Sequence, residues 1–421
     1  MDVYVAGGIF LVAYGLIASE RFDRTLVALL GGLLVVVLGV IDQHQAFEAI
    51  DFNVIFLLAG MMIIASGLSR TGFFEYVAAQ AIHVSGGQPF RLLILLAILT
   101  AVLAAVLDNV TTVVLLAPVT LSLARTLRVN PLPYLLSQVF ASNIGGTATL
   151  IGDPPNILIG SAAGLDFGAF LVNLAPVVVV IMIGFVPLMA FSFRGHMEDD
   201  ETRLDRLAEL DPAAAIKDRP MMIRALIVLG LTLVGFLFHS VIGLEAATIA
   251  LLGATVLMIV APLDPHDALR DIEWNTLFFF VGLFMLIEAV VHVGIVGGVA
   301  TALADAVDGD LTVATMAILW FSAIASAIVD NIPYTATAIP IVQGLIDAGL
   351  ANDVLWWSLA LGACLGGNLT IVGASANIVV ANLAERDGHK ITFWQFFRYG
   401  AAVVVLSLVV STVYLWLRYL L

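Results

Sequence analysis

Apolar runs of roughly 20 residues recur along the chain, continuous rather than alternating and separated by short polar breaks. A run of that length crosses the hydrocarbon core as one helix. Lipid offers no hydrogen bonds, so a spanning backbone must be helical or part of a closed barrel. The lack of a two-residue alternation selects helices. The pattern predicts helices near 3–18, 25–41 and 51–69, then an amphipathic stretch over 72–83. Two apolar arms follow at 92–107 and 110–124, then a broken helix with pieces 132–143 and 156–163, and a fifth span over 168–193. A similar series comes next: 221–238, 242–260, 273–290, an amphipathic stretch 295–307, arms 312–329 and 332–346, a broken helix over 353–385, and 393–420.

Two polar interruptions organise this pattern. Leu107-Asp108-Asn109-Val110-Thr111-Thr112 and Val329-Asp330-Asn331-Ile332-Pro333-Tyr334 each sit between arms that look short for a full crossing. Neither carries the polar loop of a solvent-exposed turn, so both read as tips of re-entrant helical hairpins. The broken helices are interrupted at Gly145–Pro155 and Gly366–Ala376. There Pro154 and Pro155 remove backbone donors, and Asp153 leaves the α region because it precedes a proline.

The two series are copies. At a constant offset of 222 residues, Asn53 pairs with Asn275, Gly60 with Gly282, Gly72 with Gly294, Asp108 with Asp330, Asn109 with Asn331 and Pro118 with Pro340. At 221, Gly145-Gly146 pairs with Gly366-Gly367, Thr149 with Thr370, Gly152 with Gly373 and Asn156 with Asn377. Each copy crosses the membrane an odd number of times, which inverts one relative to the other. Placing 19–24, 70–91, 125–130, 194–224, 261–272 and 386–398 on one side collects 16 of the 17 Lys and Arg residues. The positive-inside rule makes that side cytoplasmic, with both termini outward across an inner (plasma) membrane. The fold class expected is an all-α polytopic membrane protein: two inverted repeats of five transmembrane helices, each with a re-entrant hairpin and a broken helix. Residues 194–220, the only long polar segment, read as a cytoplasmic linker carrying a short helix. Val3–Ile17 lacks a basic n-region and reads as a retained first helix rather than a cleaved signal.

Composition agrees. Only 12% of residues are charged and 61% are hydrophobic, with mean hydropathy +1.08, whereas a soluble protein carries about 25% charge. A net charge of −15 argues against nucleic acid as a partner, which needs clustered Lys and Arg. The single Cys364 excludes disulfides and thiolate clusters. There is no HExxH, GxSxG or phosphate-binding loop, so neither an enzyme nor an ATP-driven pump is read. A cytoplasmic ATPase subunit is not inferable from the sequence. The partners expected are the bilayer and a small inorganic ion or solute, with no cofactor beyond Na⁺ or H⁺ as coupling ion.

A mid-membrane aspartate costs about 2.5–3.5 kcal/mol even on lenient insertion scales, so two at equivalent positions call for a function. Asp108 and Asp330 are expected to bind a coupling cation or carry a proton, with Na⁺ placed near Asp108, Asn109, Asp330 and Asn331. Capping of the second arm by the same residues, with Pro333 in its first turn, coexists with that role. Thr111, Thr112, Thr335, Thr147, Thr149, Asp153, Asn156, Asn368, Thr370, Ser375 and Asn377 add hard oxygens and amides that suit Na⁺ or a proton network. Unwound backbone around Gly145, Gly146, Gly152, Pro154, Pro155, Gly366, Gly367 and Gly373 exposes further ligands. Close helix packing explains Gly145, Gly362 and Gly366. Glu245, Glu288, His239 and His292 fall at outer helix ends. Trp274, Trp356, Trp357 and Trp394 suit interfacial anchoring. The sequons at Asn109 and Asn368 lie inside membrane segments and are discounted.

These motifs, read as Leu107–Thr112, Gly145–Asn156, Asp330–Pro333 and Gly362–Asn377, resemble the ion transporter superfamily, and within it the ArsB/NhaD branch that includes the melanosomal P protein. The resemblance covers nearly the whole chain. It implies a homodimeric transporter with scaffold parts at 1–89 and 221–310, transport parts at 90–193 and 311–421, and hairpins at 90–126 and 311–348. It also implies an elevator-like cycle coupled to Na⁺ or H⁺. Related dicarboxylate carriers have serine where this chain has Asp108 and Asp330. With no Lys or Arg expected at the site, that acid opposes a dianion unless bound cations offset it. It favours a cation (Na⁺/H⁺ antiport) or a neutral solute such as arsenous acid. The Gly-Asp-Pro-Pro-Asn run and the lone Cys364 argue against a specific arsenite assignment. The alternative is an anion transporter or channel, for chloride or carboxylates, on the same scaffold.

Overall fold

The computed structural model describes every residue except Met1, Glu20, 197–211, Pro262, Ala351 and Asn352, and the described chain is helical throughout. Among the described residues nine helices are long and apolar enough to span a membrane, or ten if one bent pair counts as a span. The first half comprises α1 (Asp2–Ser19), α2 (Arg24–Val37), α3 (Gln43–Glu48), α4 (Phe52–Arg70), α5 (Phe73–Ser85), α6 (Pro89–Val106), α7 (Asn109–Leu127), α8 (Leu132–Gly146), α9 (Pro154–Ala163), α10 (Phe167–Asn173) and α11 (Ala175–Ser192). The second comprises α12 (Arg219–Ile242), α13 (Ala246–Val260), α14 (Pro265–Arg270), α15 (Trp274–His292), α16 (Ile295–Val307), α17 (Leu311–Val329), α18 (Asn331–Asp347), α19 (Val354–Gly366), α20 (Ser375–Arg386) and α21 (Phe393–Leu415).

Aspartates are spent at helix starts. The side chains of Asp23, Asp42, Asp51, Asp166, Asp218, Asp264 and Asp310 each accept from N–H groups in the first turn that follows. Such caps satisfy donors that a helix leaves free and favour the positive end of its dipole.

The duplication is visible element by element. α2, α3, α4, α5, α6 and α7 begin 222 residues before α13, α14, α15, α16, α17 and α18 respectively. The packing is reciprocal too, because α2 packs on α15 as α4 packs on α13. At the first contact a Cβ on Gly282 would lie 2.4 Å from the Ala28 carbonyl carbon; at the second, a Cβ on Gly60 would lie 2.7 Å from that of Ala250. Only glycine lets these backbones approach so closely. Thr25 Oγ1 donates to the Asn275 carbonyl at 2.9 Å, and the Ala247 N–H donates to Asn53 Oδ1 at 3.0 Å, tying each helix start across the halves.

Several expectations are corrected. The span drawn over 168–193 is two helices, α10 and α11, and α10 turns 116° away from α9. The short helices α3 and α14 were absent from the hydropathy pattern; they are set by local capping, with Asp42 and Gln45 forming a reciprocal capping box. The hairpin arms are 18, 19, 19 and 17 residues long, about 26–29 Å at the helical rise, so they are not short. What marks the tips as internal is their burial. Trp356 and Trp357 are 3% and 2% exposed and pack in the core, whereas Trp274 and Trp394 are exposed as anchors should be. In the 194–220 segment, Arg194–His196 and Pro212–Ala215 form single 3₁₀ turns; the short helix expected there lies outside the described residues.

Candidate functional site

Each hairpin tip folds onto the break of its own half in the same way. The Asn109 N–H donates to the Gly152 carbonyl at 2.9 Å, and the Asn331 N–H to the Gly373 carbonyl at 3.1 Å. Thr149 Oγ1 donates to the Ala105 carbonyl at 2.6 Å, and Thr370 Oγ1 to the Ala327 carbonyl. The Asn156 amide spans its break by donating to the carbonyls of Gly146, Thr147 and Thr149, and Asn377 does so to those of Gly367 and Thr370. The break is tight: a Cβ on Gly146 would lie 2.4 Å from the Gly152 oxygen, and one on Gly373 2.6 Å from the Gly367 oxygen. Gly145, Gly362 and Gly366 pack against helix backbone as expected, on Ala101, Leu319 and Ala323.

Both tip aspartates cap the second arm. Asp108 Oδ1 accepts from the Thr111 N–H at 2.7 Å, and Asp330 Oδ1 from the Ile332 N–H at 3.0 Å. Asp153 also precedes a helix but has no capping bond, because the next two residues are prolines without donors. Its carboxylate is therefore free to point elsewhere. It meets the Asn331 amide of the other half, at 3.1 Å from Oδ1 and 3.3 Å from Oδ2. Asp153 is wholly buried, adjoins the Cys364 thiol and lies close enough to Asp330 and Asp108 for mutual repulsion.

At the centre, Asn143 joins the halves. Its Oδ1 accepts from the Asn109 amide at 3.1 Å, and its own amide donates to Asn368 Oδ1 at 2.9 Å and Asn377 Oδ1 at 3.0 Å. The equivalent residue in the second half is Cys364, whose thiol lies 3.5 Å from Asn156 Oδ1. The side-chain amide oxygen Oδ1 of Asn109 and the hydroxyls of Thr112 and Thr335 are buried without a hydrogen-bond partner.

The expectation of no Lys or Arg at the site is wrong. The Arg24 guanidinium lies 3.3 Å from Asp330 Oδ2 and also donates to Ser375; Ser375 in turn donates to the same carboxylate oxygen at 2.9 Å. The hydropathy pattern places Arg24 in the 19–24 loop. Asp23 is the cap, so Arg24 is the first helical residue of α2, and its length carries the charge inward. Asn143 was also missed, since nothing but its place just before Gly145-Gly146 distinguishes it. Tyr14 of α1 completes the surround, with its hydroxyl 3.0 Å from the Pro333 carbonyl and 2.6 Å from Thr337 Oγ1. Elsewhere between the helices, a cavity of about 470 Å³ is lined by Asn53, Ser161, Asp166, His239, Ser240 and Glu245 among others, and is bridged by a 2.8 Å bond from Ser240 to Asp166.

Interrupted helices that meet at a buried polar centre inside a multi-pass helical bundle are the construction plan of membrane transporters. The chain belongs to the CitMHS citrate-transporter family, which matches residues 14–362. It is 45% identical over 422 residues to an uncharacterized transporter of Mycobacterium tuberculosis, covering 99% of this chain and 98% of that one. The human P protein is 34% identical over 501 residues, covering 98% of this chain, which spans 60% of that protein's length. Among solved structures, the YdaH transporter of Alcanivorax borkumensis has the same fold, with a TM-score of 0.60, 14% identity and coverage of 99% and 98% of the two chains. These relationships bear out the ArsB/NhaD-like assignment within the ion transporter superfamily.

Proposed function

We propose that the protein is a secondary active transporter that moves its substrate by alternating access, coupled to Na⁺ or H⁺. The observation that carries this reading is the charge balance of the site. Asp108, Asp153 and Asp330 are all buried, and Arg24, the one guanidinium bonded to them among the described residues, serves Asp330. A buried carboxylate without a cationic partner is strongly unfavourable, so Asp108 and Asp153 need a proton or a metal cation. The partnerless Asn109 Oδ1 supplies a neutral hard ligand beside them, as Na⁺ prefers. Asp330, expected from the sequence to carry coupling charge, is paired with Arg24.

In this reading the two halves are inverted, the hairpins and broken helices form a transport part that moves against the α1–α5 and α12–α16 scaffold, and two copies form a dimer. The cargo is a cation or small inorganic solute, as in Na⁺/H⁺ antiport or arsenite efflux. A second reading, a carboxylate or other anion carried with cations, draws support from the Arg24 guanidinium and from the family's description. A channel on the same scaffold competes with both.

Purified protein in vesicles with an internal pH dye tests these readings, with Na⁺, Li⁺, arsenite, chloride and di- and tricarboxylates added in turn. Coupled flux driven by one of these together with Na⁺ or H⁺ is expected. Unitary currents without counter-ion coupling would sink the transporter reading. Coupled flux in both Asp108→Asn and Asp153→Asn at wild-type stoichiometry would sink the roles given to those carboxylates.

A further inference from the structure

We propose that Arg24 is the resident counter-cation of the second hairpin tip: it competes with the coupling cation for Asp330 and latches the start of α18 to α2 while the site is unloaded. This inference rests on the cation-coupled reading above. The start of α2 is held firmly, since Asp23 caps it through the Thr25 and Leu26 N–H groups and Thr25 bonds the start of α15. From there the guanidinium lies over the Phe279 ring, 5.2 Å from its centroid, and reaches Asp330 and Ser375. The Arg24 side chain is 32% exposed while that of Asp330 is 9% exposed. One end of the ion pair is thus accessible at the protein surface and the other is largely buried.

The backbone of Asp330 is unusual as well. Its φ of +78° and ψ of 140° place a non-glycine residue in a region that favours glycine. Asp108, at the equivalent tip, has an extended φ of 172°. The strained tip is the one with the ion pair. At the positions equivalent to Arg24 and Ser375 the other half has Ala246 and Pro154, so the first tip cannot form the same contacts. If the halves exchange roles between the two ends of the cycle, an ion pair made at one tip and not at its twin makes those ends unequal. A cation that replaces Arg24 at Asp330 would cancel the difference, so that empty and loaded carriers move differently. The charged groups around Asp330 are Arg24 and, across the Asn331 amide, Asp153. Binding of a cation at either carboxylate therefore weakens the hold of the other on its partner.

The test compares wild type, Arg24→Gln, Arg24→Lys, Asp330→Asn and the double variant Arg24→Gln/Asp330→Asn in vesicles, with Na⁺ as titrant. Hydrogen exchange of the tip amides around Asn331 and Ile332 is followed in parallel. Arg24→Gln is expected to lower the Na⁺ concentration for half-maximal flux about fivefold or more, the usual size of a coupling between two ligands. It should also speed tip exchange in Na⁺-free buffer. Arg24→Lys should return part of both effects, and neither effect should appear in the Asp330→Asn background. Wild-type Na⁺ dependence and wild-type tip exchange in Arg24→Gln would overturn the proposal, as would an unchanged effect of that substitution once Asp330 is already Asn. If wild type shows no Na⁺- or H⁺-linked flux, the functional reading fails, and tip exchange alone decides whether the latch exists.

Discussion

The side-chain amide of Asn331 donates to both carboxylate oxygens of Asp153, at 3.1 and 3.3 Å, joining the hairpin tip of one half to the helix break of the other. The contact is made across the duplication by two residues that are not equivalents, since the second-half counterpart of Asp153 is Ala374. Two copies of one plan have become a single asymmetric site. Asp153→Asn keeps the shape and removes the charge, so it is expected to fold with near wild-type thermal stability and to lose cation-linked flux. Asp153→Ala leaves the Asn331 amide without its partner, which costs about 1–3 kcal/mol for a buried donor. Thermal unfolding in detergent should therefore rank wild type and Asp153→Asn together, with Asp153→Ala lower.

Asn143 makes a second prediction. Its three side-chain bonds reach Asn109, Asn368 and Asn377, so it links one hairpin tip to both sides of the other half's break. Asn143→Ala would strand several buried amides at once. The expected result is a stability loss larger than that of Asp153→Ala, with the protein still inserted. Equal melting of Asn143→Ala and wild type would mean that these amides find other partners.

The tips and breaks were legible in the sequence because they interrupt apolar runs and because the duplication supplies each with a twin. Asp108, Asn109, Asn156, Asp330, Asn331 and Asn377 could be named in that way, and Asp153 and Asn368, whose counterparts are Ala374 and Thr147, by the breaks they lie in. Arg24 and Asn143 could not. Arg24 lies at a helix end, where arginine is ordinary, and only the tertiary placement of α2 brings it to Asp330. Asn143 lies inside a run that is apolar on average, opposite Cys364, so the repeat gives it no echo. The bend between α9 and α10 escaped for a similar reason: hydropathy records how apolar a run is, not where its axis turns. The tryptophans at 356 and 357 failed because composition alone cannot separate an interfacial ring from a core one.

The reciprocal glycines give a stability prediction that is independent of transport. A Cβ on Gly60 would stand 2.7 Å from the Ala250 carbonyl carbon and one on Gly282 2.4 Å from that of Ala28, so alanine at either position must push two helix backbones apart. Overpacking of this kind typically costs about 1–3 kcal/mol. Gly60→Ala and Gly282→Ala should both lower the melting temperature. Gly8→Ala, where a Cβ meets nothing within 4 Å, should leave it unchanged or raise it slightly, since alanine is the better helix former. A melting temperature for Gly282→Ala no lower than that of Gly8→Ala would contradict the close packing of α2 on α15.

The last prediction concerns pH at the ends of α4 and α15. Asp271 lies in the turn between α14 and α15, and its Oδ2 accepts from the Arg70 guanidinium at 2.5 and 3.1 Å and from the Ser66 hydroxyl. Partial burial pushes its carboxyl up, but the Ser66 hydroxyl and the Arg70 charge outweigh that and hold it below the usual carboxylate range. A carboxyl depressed in the folded protein contributes stability that is present above its unfolded value, about 3.9 for Asp, and is lost as pH falls through the folded value. Wild type should therefore be more stable than Asp271→Asn by a constant margin at neutral pH. The margin should shrink only below about pH 4, as the carboxylate takes a proton in the unfolded and then the folded chain. Because the pair is partly exposed, the margin should also fall as salt is added. Melting curves of the two proteins across pH 3–7 at low and high salt would check this, and a margin that grows on acidification would reverse the sign of the argument.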